Sequence, residues 1–282
     1  MMKIFITGAS SGIGEALAYA YSKRKCIVGL SARRVDLLNS ILIRCKKLGG
    51  SPFMYKLDVQ NPDDCKLAAH SFMLEAGGID CVIANAGIGG DDNLYSGSSS
   101  DINNILNTNL QGVNNILIPF IPKMREQKKG KLVCISSVAG YVPIPFHGGY
   151  AGSKIALRMI FDSWRPTLEK DGIKTICICP GFIDTPIVKG PAKKIPMVSP
   201  DKAAEKFIHF INKGKRTIIY PWYYRILIFL IGFSTIILSE MTIRLINADF
   251  IKNIKFFVIP LILAISLYSN YLIQFKNIKN TK

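Results

Sequence analysis

The chain has 282 residues and carries 36 lysines and arginines against 19 aspartates and glutamates, a formal net charge of +17. Hydrophobic residues make up 49% of it, which excludes a disordered chain, and the length allows one large or two modest domains. The charge alone suggests either a nucleic acid or an anionic membrane as partner, and only its distribution along the chain separates the two.

Up to about residue 215, short apolar strands alternate with helical segments. The pattern predicts strands over Lys3–Thr7, Cys26–Ser31, Pro52–Leu57, Cys81–Ala84, Lys131–Ser136 and Lys174–Cys179. It predicts helices over Gly12–Lys23, Val35–Leu48, Asp63–Ala76, Asp101–Met124 and Tyr150–Leu168. Strands rich in Ile, Val and Cys that alternate with helices indicate a parallel sheet covered on both faces. We therefore predict an α/β fold with a doubly wound parallel sheet, the Rossmann fold, over residues 1–215.

Two segments of this predicted domain read as loops, and neither identifies a substrate. Gly89–Ser100 is polar and rich in glycine and serine, and Pro180–Pro200 is rich in proline, as expected of a lid. The seven cysteines include no C-x-x-C pair, and only three histidines occur, so we expect buried, reduced thiols and no metal site. The N-terminus runs directly into a glycine motif and shows no signal peptide, which predicts a cytoplasmic catalytic domain.

The first predicted strand is followed at once by a glycine-rich turn that begins a helix. It reads Thr7-Gly8-Ala9-Ser10-Ser11-Gly12-Ile13-Gly14. Glycine is needed where a backbone turns tightly or approaches a pyrophosphate, and a helix N-terminus offers free N–H donors to phosphates. This strand–turn–helix context predicts a dinucleotide-phosphate site, with an ordinary strand-to-helix turn as the alternative.

Further motifs occur in a fixed order after this turn. They are Asn85-Ala86-Gly87, Asn109-Leu110-Gln111-Gly112, Ser136-Ser137, Tyr150-x-x-x-Lys154 and Pro180-Gly181 with Thr185 beyond. Together with the G-x-x-x-G-x-G spacing of the turn, they resemble the short-chain dehydrogenase/reductase family over about residues 2–190. The 13-residue spacing to Tyr150 selects Ser137 rather than Ser136 as the family's serine.

The resemblance implies a set of four catalytic residues. Ser137 would hold the substrate carbonyl, Tyr150 would pass the proton, Lys154 would also bind the ribose hydroxyls, and Asn109 would hold a water that relays protons. From the residues themselves, Tyr150 and Lys154 are four apart and share a helical face. We expect the Lys154 ammonium to lower the pKa of the Tyr150 phenol, because a nearby positive charge favours the phenolate.

The residues after the second strand predict which cofactor binds. They read Leu30-Ser31-Ala32-Arg33-Arg34, without the carboxylate that would bind the ribose 2′-hydroxyl of NAD. By resemblance, Arg33 holds the 2′-phosphate of NADP(H), with Ser11 or Arg34 nearby. The alternatives are that both arginines are solvated at a helix start and that NAD(H) binds.

By resemblance Asp58-Val59 contacts adenine, although Asp58 would also serve as a cap for the next helix. The full predicted cofactor-binding set is Gly8, Ser10, Ser11, Gly12, Ile13, Gly14, Arg33, Arg34, Asp58, Val59, Asn85, Ala86, Gly87, Tyr150, Lys154, Pro180, Gly181, Ile183 and Thr185.

Residues 216–282 form a second predicted region, a hydrophobic and basic helical extension. The last 82 residues carry 12 basic and 4 acidic side chains, net +8, against +9 for the first 200. Phe256–Phe275 is a run of 20 uncharged residues between lysines, long enough to span a bilayer. Trp222–Leu238 would be a second span, an interfacial helix or a wall of the substrate pocket. Alternatively, both runs complete a soluble core or a dimer interface.

These features together predict a membrane-associated, NADPH-dependent oxidoreductase that reduces a ketone or aldehyde of a lipophilic substrate. Basic residues that flank apolar runs favour membrane lipid over nucleic acid, which we exclude as a partner. The assembly is expected to be a homodimer or a homotetramer. The alternatives are an NAD(P)-dependent alcohol dehydrogenase working in the oxidative direction and a non-catalytic nucleotide-binding scaffold.

Overall fold

The computed structural model describes residues 1–188 and 194–232. The chain divides into two units, Met1–Pro221 and Trp222–Lys282. The first unit contains seven strands, β1 to β7 in chain order: Lys3–Thr7, Ile27–Ala32, Ser51–Lys56, Cys81–Ala84, Gly130–Ile135, Ile173–Pro180 and Thr217–Tyr220.

These strands form one sheet in the order β3-β2-β1-β4-β5-β6-β7, with every neighbouring pair parallel. The strand order reverses between β1 and β4. In an open α/β sheet this reversal leaves a crevice at the carboxyl ends of the strands, which is where ligands bind.

Eight α-helices, α1 to α8, cover the sheet: Gly12–Lys23, Val35–Lys47, Pro62–Ala76, Ser100–Leu106, Gly112–Leu117, Ile121–Glu126, Gly148–Glu169 and Pro200–Lys213. Helices α1, α2 and α8 pack on the face that carries Ile4 and Ile6 of β1. Helices α3, α5, α6 and α7 pack on the opposite face, which carries Phe5. Because side chains alternate along a strand, β1 contributes to both cores. The predicted doubly wound α/β fold is confirmed.

The predicted single helix over Asp101–Met124 is wrong in its continuity. The chain follows α4, a π-helical segment over Asn107–Gln111, α5, a 3₁₀ turn over Ile118–Phe120 and α6. Pro119 lies in the 3₁₀ turn, and proline lacks the N–H that an uninterrupted α-helix requires. Short π segments inside helices often occur at functional sites, and this one contains Asn109.

The structure contains a helix, α8, and a strand, β7, that the sequence patterns do not predict. Because β7 belongs to the sheet, the sheet continues past residue 215, the predicted end of the domain. Helix α8 begins with clear signals, because the Ser199 hydroxyl accepts from the Lys202 amide and Pro200 occupies the first turn. It ends at Gly214, whose φ of +64° is a left-handed conformation that favours glycine. Strand β7 then pairs with β6 at the edge of the sheet.

The second unit is described only as far as residue 232. Residues 223–232 are helical, and their exposed side chains include Ile226, Leu227 and Leu230. Within residues 1–188 and 194–232, no helix has both the length and the apolar character that a membrane span requires. The predicted run Phe256–Phe275 lies outside the described residues, as does the end of Trp222–Leu238.

Phe72 of α3 provides a test of this packing. Its side chain is fully buried, and its ring lies 5.4 Å from the Phe5 ring and 6.4 Å from the Phe53 ring, centre to centre. We expect Phe72→Ala to lower the free energy of unfolding by about 3–5 kcal/mol, because it removes a large buried side chain and leaves a cavity. Leu74→Ala is the matched control: Leu74, on the same helix, is 70% exposed, and the change is expected to fall within about 0.5 kcal/mol. Equal losses in a denaturant titration would contradict the packing described.

Candidate active site

The turn after β1 can only be built with glycine. Gly8 and Gly12 have φ of +64° and +60°, the left-handed region. A Cβ on Gly14 would lie 2.3 Å from the Gly8 carbonyl oxygen, and a Cβ on Gly8 would lie 2.8 Å from the Ala86 Cα. The three glycines thus allow the start of α1 to approach β1 and the end of β4 closely.

Thr7 joins this turn to the motif after β4. Its hydroxyl accepts hydrogen bonds from the amides of Asn85 and Ala86, both at 3.0 Å. The Asn85 side chain in return donates to the carbonyls of Thr7, at 2.9 Å, and Gly8, at 3.3 Å. Sequence reasoning passed over Thr7, although a hydroxyl directly before the first glycine at a strand end was a usable signal.

The turn has the features that a dinucleotide pyrophosphate requires. Ser11 is the N-cap of α1, and its side chain makes no capping hydrogen bond, so the first amides of the helix have no side-chain partner there. Ile13 packs against the core below. The residues around the turn therefore fit a phosphate group, whose charge also suits the positive end of the helix dipole.

The segment after β6 closes over the same turn. A Cβ on Gly12 would lie 3.0 Å from the Thr185 methyl carbon, so Thr185 lies directly beside the turn. Pro180 ends β6, the Gly181 amide donates to the Tyr220 carbonyl at 2.8 Å, and Ile183 forms a parallel bridge with Val198. The backbone of the predicted lid is thereby tied back on itself.

Arg33 and Arg34, the two arginines predicted to bind the 2′-phosphate, make different contacts. Arg34 Nη2 donates to the hydroxyls of Ser10, at 2.9 Å, and Ser11, at 2.8 Å. Arg33 Nη1 lies 3.6 Å from an Asp58 carboxylate oxygen, with both side chains largely exposed. Sequence reasoning gave Arg33 the main part, whereas in this structure it is Arg34 that contacts the serines of the turn.

Asp58 is not the cap of the following helix. Asn61 caps α3 by accepting from the amides of Asp63 and Asp64, whereas Asp58 accepts from the Gln60 amide at 3.0 Å. Asp58 also lines a surface groove together with Arg33, Lys56, Leu57 and Asp64. The next residue, Val59, is buried and packs closely against Gly112, where a Cβ would lie 2.5 Å from the Val59 side chain.

Ser137 and Tyr150 meet beyond the carboxyl end of β5. Ser137 follows the strand and accepts from the Ala139 amide at 3.1 Å, which holds it at the start of a 3₁₀ turn. Tyr150 lies in the first turn of α7. Burial raises the pKa of Tyr150 above its ordinary value of 10.0, and a hydrogen bond with Ser137 lowers it by a smaller amount. The lowering expected from Lys154 is therefore wrong for this structure: it comes from Ser137, and burial outweighs it.

Lys154 lies one turn further along α7 with its side chain buried. Its Nζ donates to the Ile135 carbonyl at 2.9 Å and lies 5.6 Å from the centre of the Tyr150 ring. Burial lowers the pKa of Lys154 to about 8. Ser136 has a structural position, because it is buried and its hydroxyl donates to the Lys154 carbonyl at 2.8 Å.

Asn109 lies in the π-helical segment and is fully buried. Its side-chain oxygen accepts from the Ile88 amide and its nitrogen donates to the Ile88 carbonyl, each at 2.8 Å. A Cβ on Gly87 would lie 3.2 Å from the Asn109 oxygen and 3.6 Å from Lys154 Nζ. The Asn-Ala-Gly motif, Asn109 and Lys154 therefore lie together at the strand ends.

The described part of the chain contains no group of three or more His, Cys, Asp and Glu side chains that could hold a metal ion.

One acidic residue near the site, Asp92, was passed over by sequence reasoning. It lies in the loop after β4, is buried, and bonds to the first amides of α7. Two adjacent aspartates in a glycine-rich loop offered little signal that one of them is buried.

Comparisons with known proteins agree with this site. The family model for short chain dehydrogenases matches residues 2–195. The chain is 30% identical to 17-beta-hydroxysteroid dehydrogenase 13 of Rattus norvegicus over 257 residues, which are 90% of this chain and 84% of the relative. It is 32% identical to an uncharacterized oxidoreductase of Myxococcus xanthus over 218 residues, 77% of this chain and 86% of the relative.

Solved structures give the same result. An alcohol dehydrogenase from the archaeon Thermococcus sibiricus, complexed with 5-hydroxy-NADP, is 29% identical with a TM-score of 0.70, over 78% of this chain and 95% of that one. A short-chain type dehydrogenase/reductase from Mycobacterium marinum is 26% identical with a TM-score of 0.72, over 77% of this chain and 93% of that one. The predicted resemblance is confirmed: the chain belongs to the short-chain dehydrogenase/reductase family, oxidoreductases that act on hydroxyl or carbonyl groups with a nicotinamide cofactor.

Proposed function

We propose that this protein is an NADP(H)-dependent reductase that converts a ketone or aldehyde of a lipophilic substrate into an alcohol. The observation that carries the proposal is the convergence of the Ser137 hydroxyl, the Tyr150 phenol and the Lys154 amine at the end of β5. The Asn-Ala-Gly motif after β4 connects this trio to the glycine turn, because a Cβ on Gly87 would lie 3.6 Å from Lys154 Nζ and one on Gly8 would lie 2.8 Å from the Ala86 Cα.

Each residue has a distinct part in the proposed reaction. Nicotinamide, when bound, supplies the hydride. The Ser137 hydroxyl holds the carbonyl oxygen of the substrate, and the Tyr150 phenol gives that oxygen its proton. Lys154, whose Nζ lies 5.6 Å from the centre of the Tyr150 ring, would bind the ribose hydroxyls of the cofactor and so orient it beside Tyr150. Burial, which raises the pKa of Tyr150, keeps its phenol protonated at neutral pH, as a proton donor requires.

The preference for NADP(H) rests on Arg33 and Arg34. A guanidinium matches a phosphate with paired, charge-assisted hydrogen bonds. Arg34 donates to the hydroxyls of Ser10 and Ser11 in the glycine turn, and Arg33 lies 3.6 Å from the Asp58 carboxylate. We propose that the two arginines bracket the 2′-phosphate from these two sides.

The proposed substrate class rests on the relatives and on two loops. Relatives named as hydroxysteroid dehydrogenases, including the 17-beta and 11-beta types, support a steroid-like or other lipophilic carbonyl. A Cβ on Gly89 would lie 3.4 Å from the Ile187 side chain, so the loops after β4 and β6 face each other. The first of these loops also presents Leu94 and Tyr95, which are exposed.

Association with a membrane, with the catalytic unit on the cytoplasmic side, remains part of the proposal. It is supported by the basic, apolar composition of the last 82 residues and by exposed Trp222, Ile226 and Leu230 in the described start of the second unit. Flotation of the full-length protein with anionic but not neutral vesicles is the expected result.

A homodimer or homotetramer is likewise proposed, and sedimentation in detergent tests it.

Replacing Tyr150 tests the proposed chemistry. We expect Tyr150→Phe to lower kcat by about 10² to 10⁴-fold, because it removes the proton donor, with little change in the Kd of NADPH. The assay follows NADPH consumption across ketosteroids and long-chain aldehydes, and NADP⁺ reduction with estradiol. Tyr141→Phe is the matched control, since this half-buried phenol lies 4.0 Å from the Cys179 sulfur. Unchanged turnover in Tyr150→Phe would contradict the mechanism, and NADPH binding without any turnover would favour the scaffold alternative.

The pKa of Lys154 predicts a pH dependence. Since burial lowers it to about 8 in the free enzyme, the ammonium is lost as the pH rises through about 8. We expect kcat/KM for NADPH, measured at saturating carbonyl substrate, to fall above that pH. Lys154→Arg keeps its charge over this range and should show no such break, even if its plateau is lower. The same break in both proteins would assign it to another group.

Removing the two arginines tests the cofactor preference. We expect Arg33→Ala/Arg34→Ala to raise the Kd of NADPH roughly ten- to a hundredfold, the effect of losing charge-assisted hydrogen bonds, and to leave the Kd of NADH nearly unchanged. Arg44→Ala, which removes a guanidinium stacked on the Tyr19 ring of α1, controls for the loss of charge. Equal losses for both nucleotides would contradict the preference.

A further inference from the structure

Asp92 is a buried carboxylate for which the proposed reaction has no use. It lies in the loop after β4 and is only 5% exposed, whereas its neighbour Asp91 is exposed. Aspartate is almost never so deeply buried without partners that offset its desolvation. The partners of Asp92 therefore indicate what the side chain does.

Both oxygens of the Asp92 carboxylate accept hydrogen bonds from the start of α7. Oδ2 accepts from the Gly148 amide, and Oδ1 accepts from the Gly149 amide at 2.9 Å. The first amides of a helix have no partner within the helix, and within α7 the pattern starts with Ala151, whose amide donates to the His147 carbonyl. A carboxylate here also faces the positive end of the helix dipole.

The backbone on both sides is built to allow this contact. The Asp92 amide donates to the Phe146 carbonyl at 2.7 Å, so the loop after β4 and the segment before α7 are joined in both directions. A Cβ on Gly148 would lie 3.0 Å from Oδ2, and one on Gly149 would lie 3.2 Å from Oδ1. Two consecutive glycines thus leave room for the carboxylate to reach the helix.

The turn that Asp92 holds is the one that carries Tyr150. Tyr150 directly follows Gly149, and its phenol must reach Ser137, which belongs to a separate element beyond β5. The buried Lys154 side chain fixes α7 one turn later, but nothing in the helix itself fixes the amides that precede Tyr150. A cap supplied from outside the helix meets that need.

We propose that Asp92 is the positioning residue for the proton donor: it caps α7 from the loop after β4 and thereby holds Tyr150 against Ser137. The proposal rests on the proposed function of Tyr150. It assigns to one loop both a wall of the substrate cleft and the support of the acid. Loss of the cap is expected to reduce kcat and to leave cofactor binding unaffected, because the glycine turn belongs to other elements.

The test measures kcat and the Kd of NADPH for full-length variants. The substrate is the carbonyl compound, among the ketosteroids and long-chain aldehydes named above, that the wild type reduces fastest. We expect Asp92→Ala to lower kcat about 10- to 100-fold, the effect of a small misplacement of a reacting group, with the Kd of NADPH unchanged. Asp92→Asn keeps one acceptor oxygen and should lose less. Gly148→Ala pushes the carboxylate away without removing it and should also lower kcat. Asp91→Asn, which removes an exposed carboxylate 3.3 Å from His147 Nε2, is the matched control and should behave as wild type.

A second readout needs no substrate. Amide exchange of Gly148 and Gly149, followed by NMR with ¹⁵N-glycine label, should speed up in Asp92→Ala and not in Asp91→Asn. Wild-type kcat or unchanged exchange in Asp92→Ala would overturn the proposal, as would a parallel loss of kcat and NADPH affinity. If Tyr150→Phe keeps full turnover, or the wild type reduces nothing in the panel, the proposed function fails instead. The glycine amides then still decide whether Asp92 holds the turn.

Discussion

The burial of Lys154 is the constraint on which the active site depends. Its amine donates to the Ile135 carbonyl, its own carbonyl accepts from Ser136, and a Cβ on Gly140 would lie 2.8 Å from its carbonyl carbon. These contacts fix α7 against the end of β5. Because burial withdraws the Lys154 amine from water, it disfavours the charged form and lowers the pKa of Lys154. Tyr150 lies one turn earlier on the same helix, directly after the two glycine amides that donate to Asp92.

The two halves of the site are held in different ways. On the cofactor side, the turn after β1 is shaped by backbone: glycine conformations, close approaches, and the exchange of hydrogen bonds between Thr7 and Asn85. On the catalytic side, hydrogen bonds of buried polar side chains hold the site together. The side-chain oxygen and nitrogen of Asn109, for example, both bond to the Ile88 backbone. Both halves lie at the carboxyl ends of the strands, near the point where the strand order reverses, so a cofactor held by the glycine turn would reach the catalytic side chains.

Much of this arrangement could be predicted because its signals are local in sequence. The glycine turn, the alternation of strands and helices, and the Ser137, Tyr150 and Lys154 spacing each lie within a short segment. The missed features depend on partners far along the chain. Asp92 contacts α7 across more than fifty residues. All of Ser10, Ser11, Arg33 and Arg34 were predicted, but that Arg34 rather than Arg33 contacts the two serines depends on residues more than twenty positions apart. The sign of the Tyr150 pKa shift depends on burial, which no spacing reports.

Neither helix α8 nor strand β7 was predicted, although α8 lies inside the predicted domain of residues 1–215 and β7 begins just after it. The cap at Ser199, Pro200 and the terminal Gly214 are ordinary helix boundaries. The seventh strand completes the sheet beyond residue 215.

The central claim, hydride transfer from NADPH at this site, is tested most directly by isotope transfer. The protein is incubated with the ketosteroid and aldehyde panel, NADPH carrying two deuterium atoms at C4, and an equal amount of unlabelled NADH, and the alcohol products are examined by mass spectrometry. We predict a product with one deuterium on the carbinol carbon. A product without deuterium, or no product from any compound, would contradict the account.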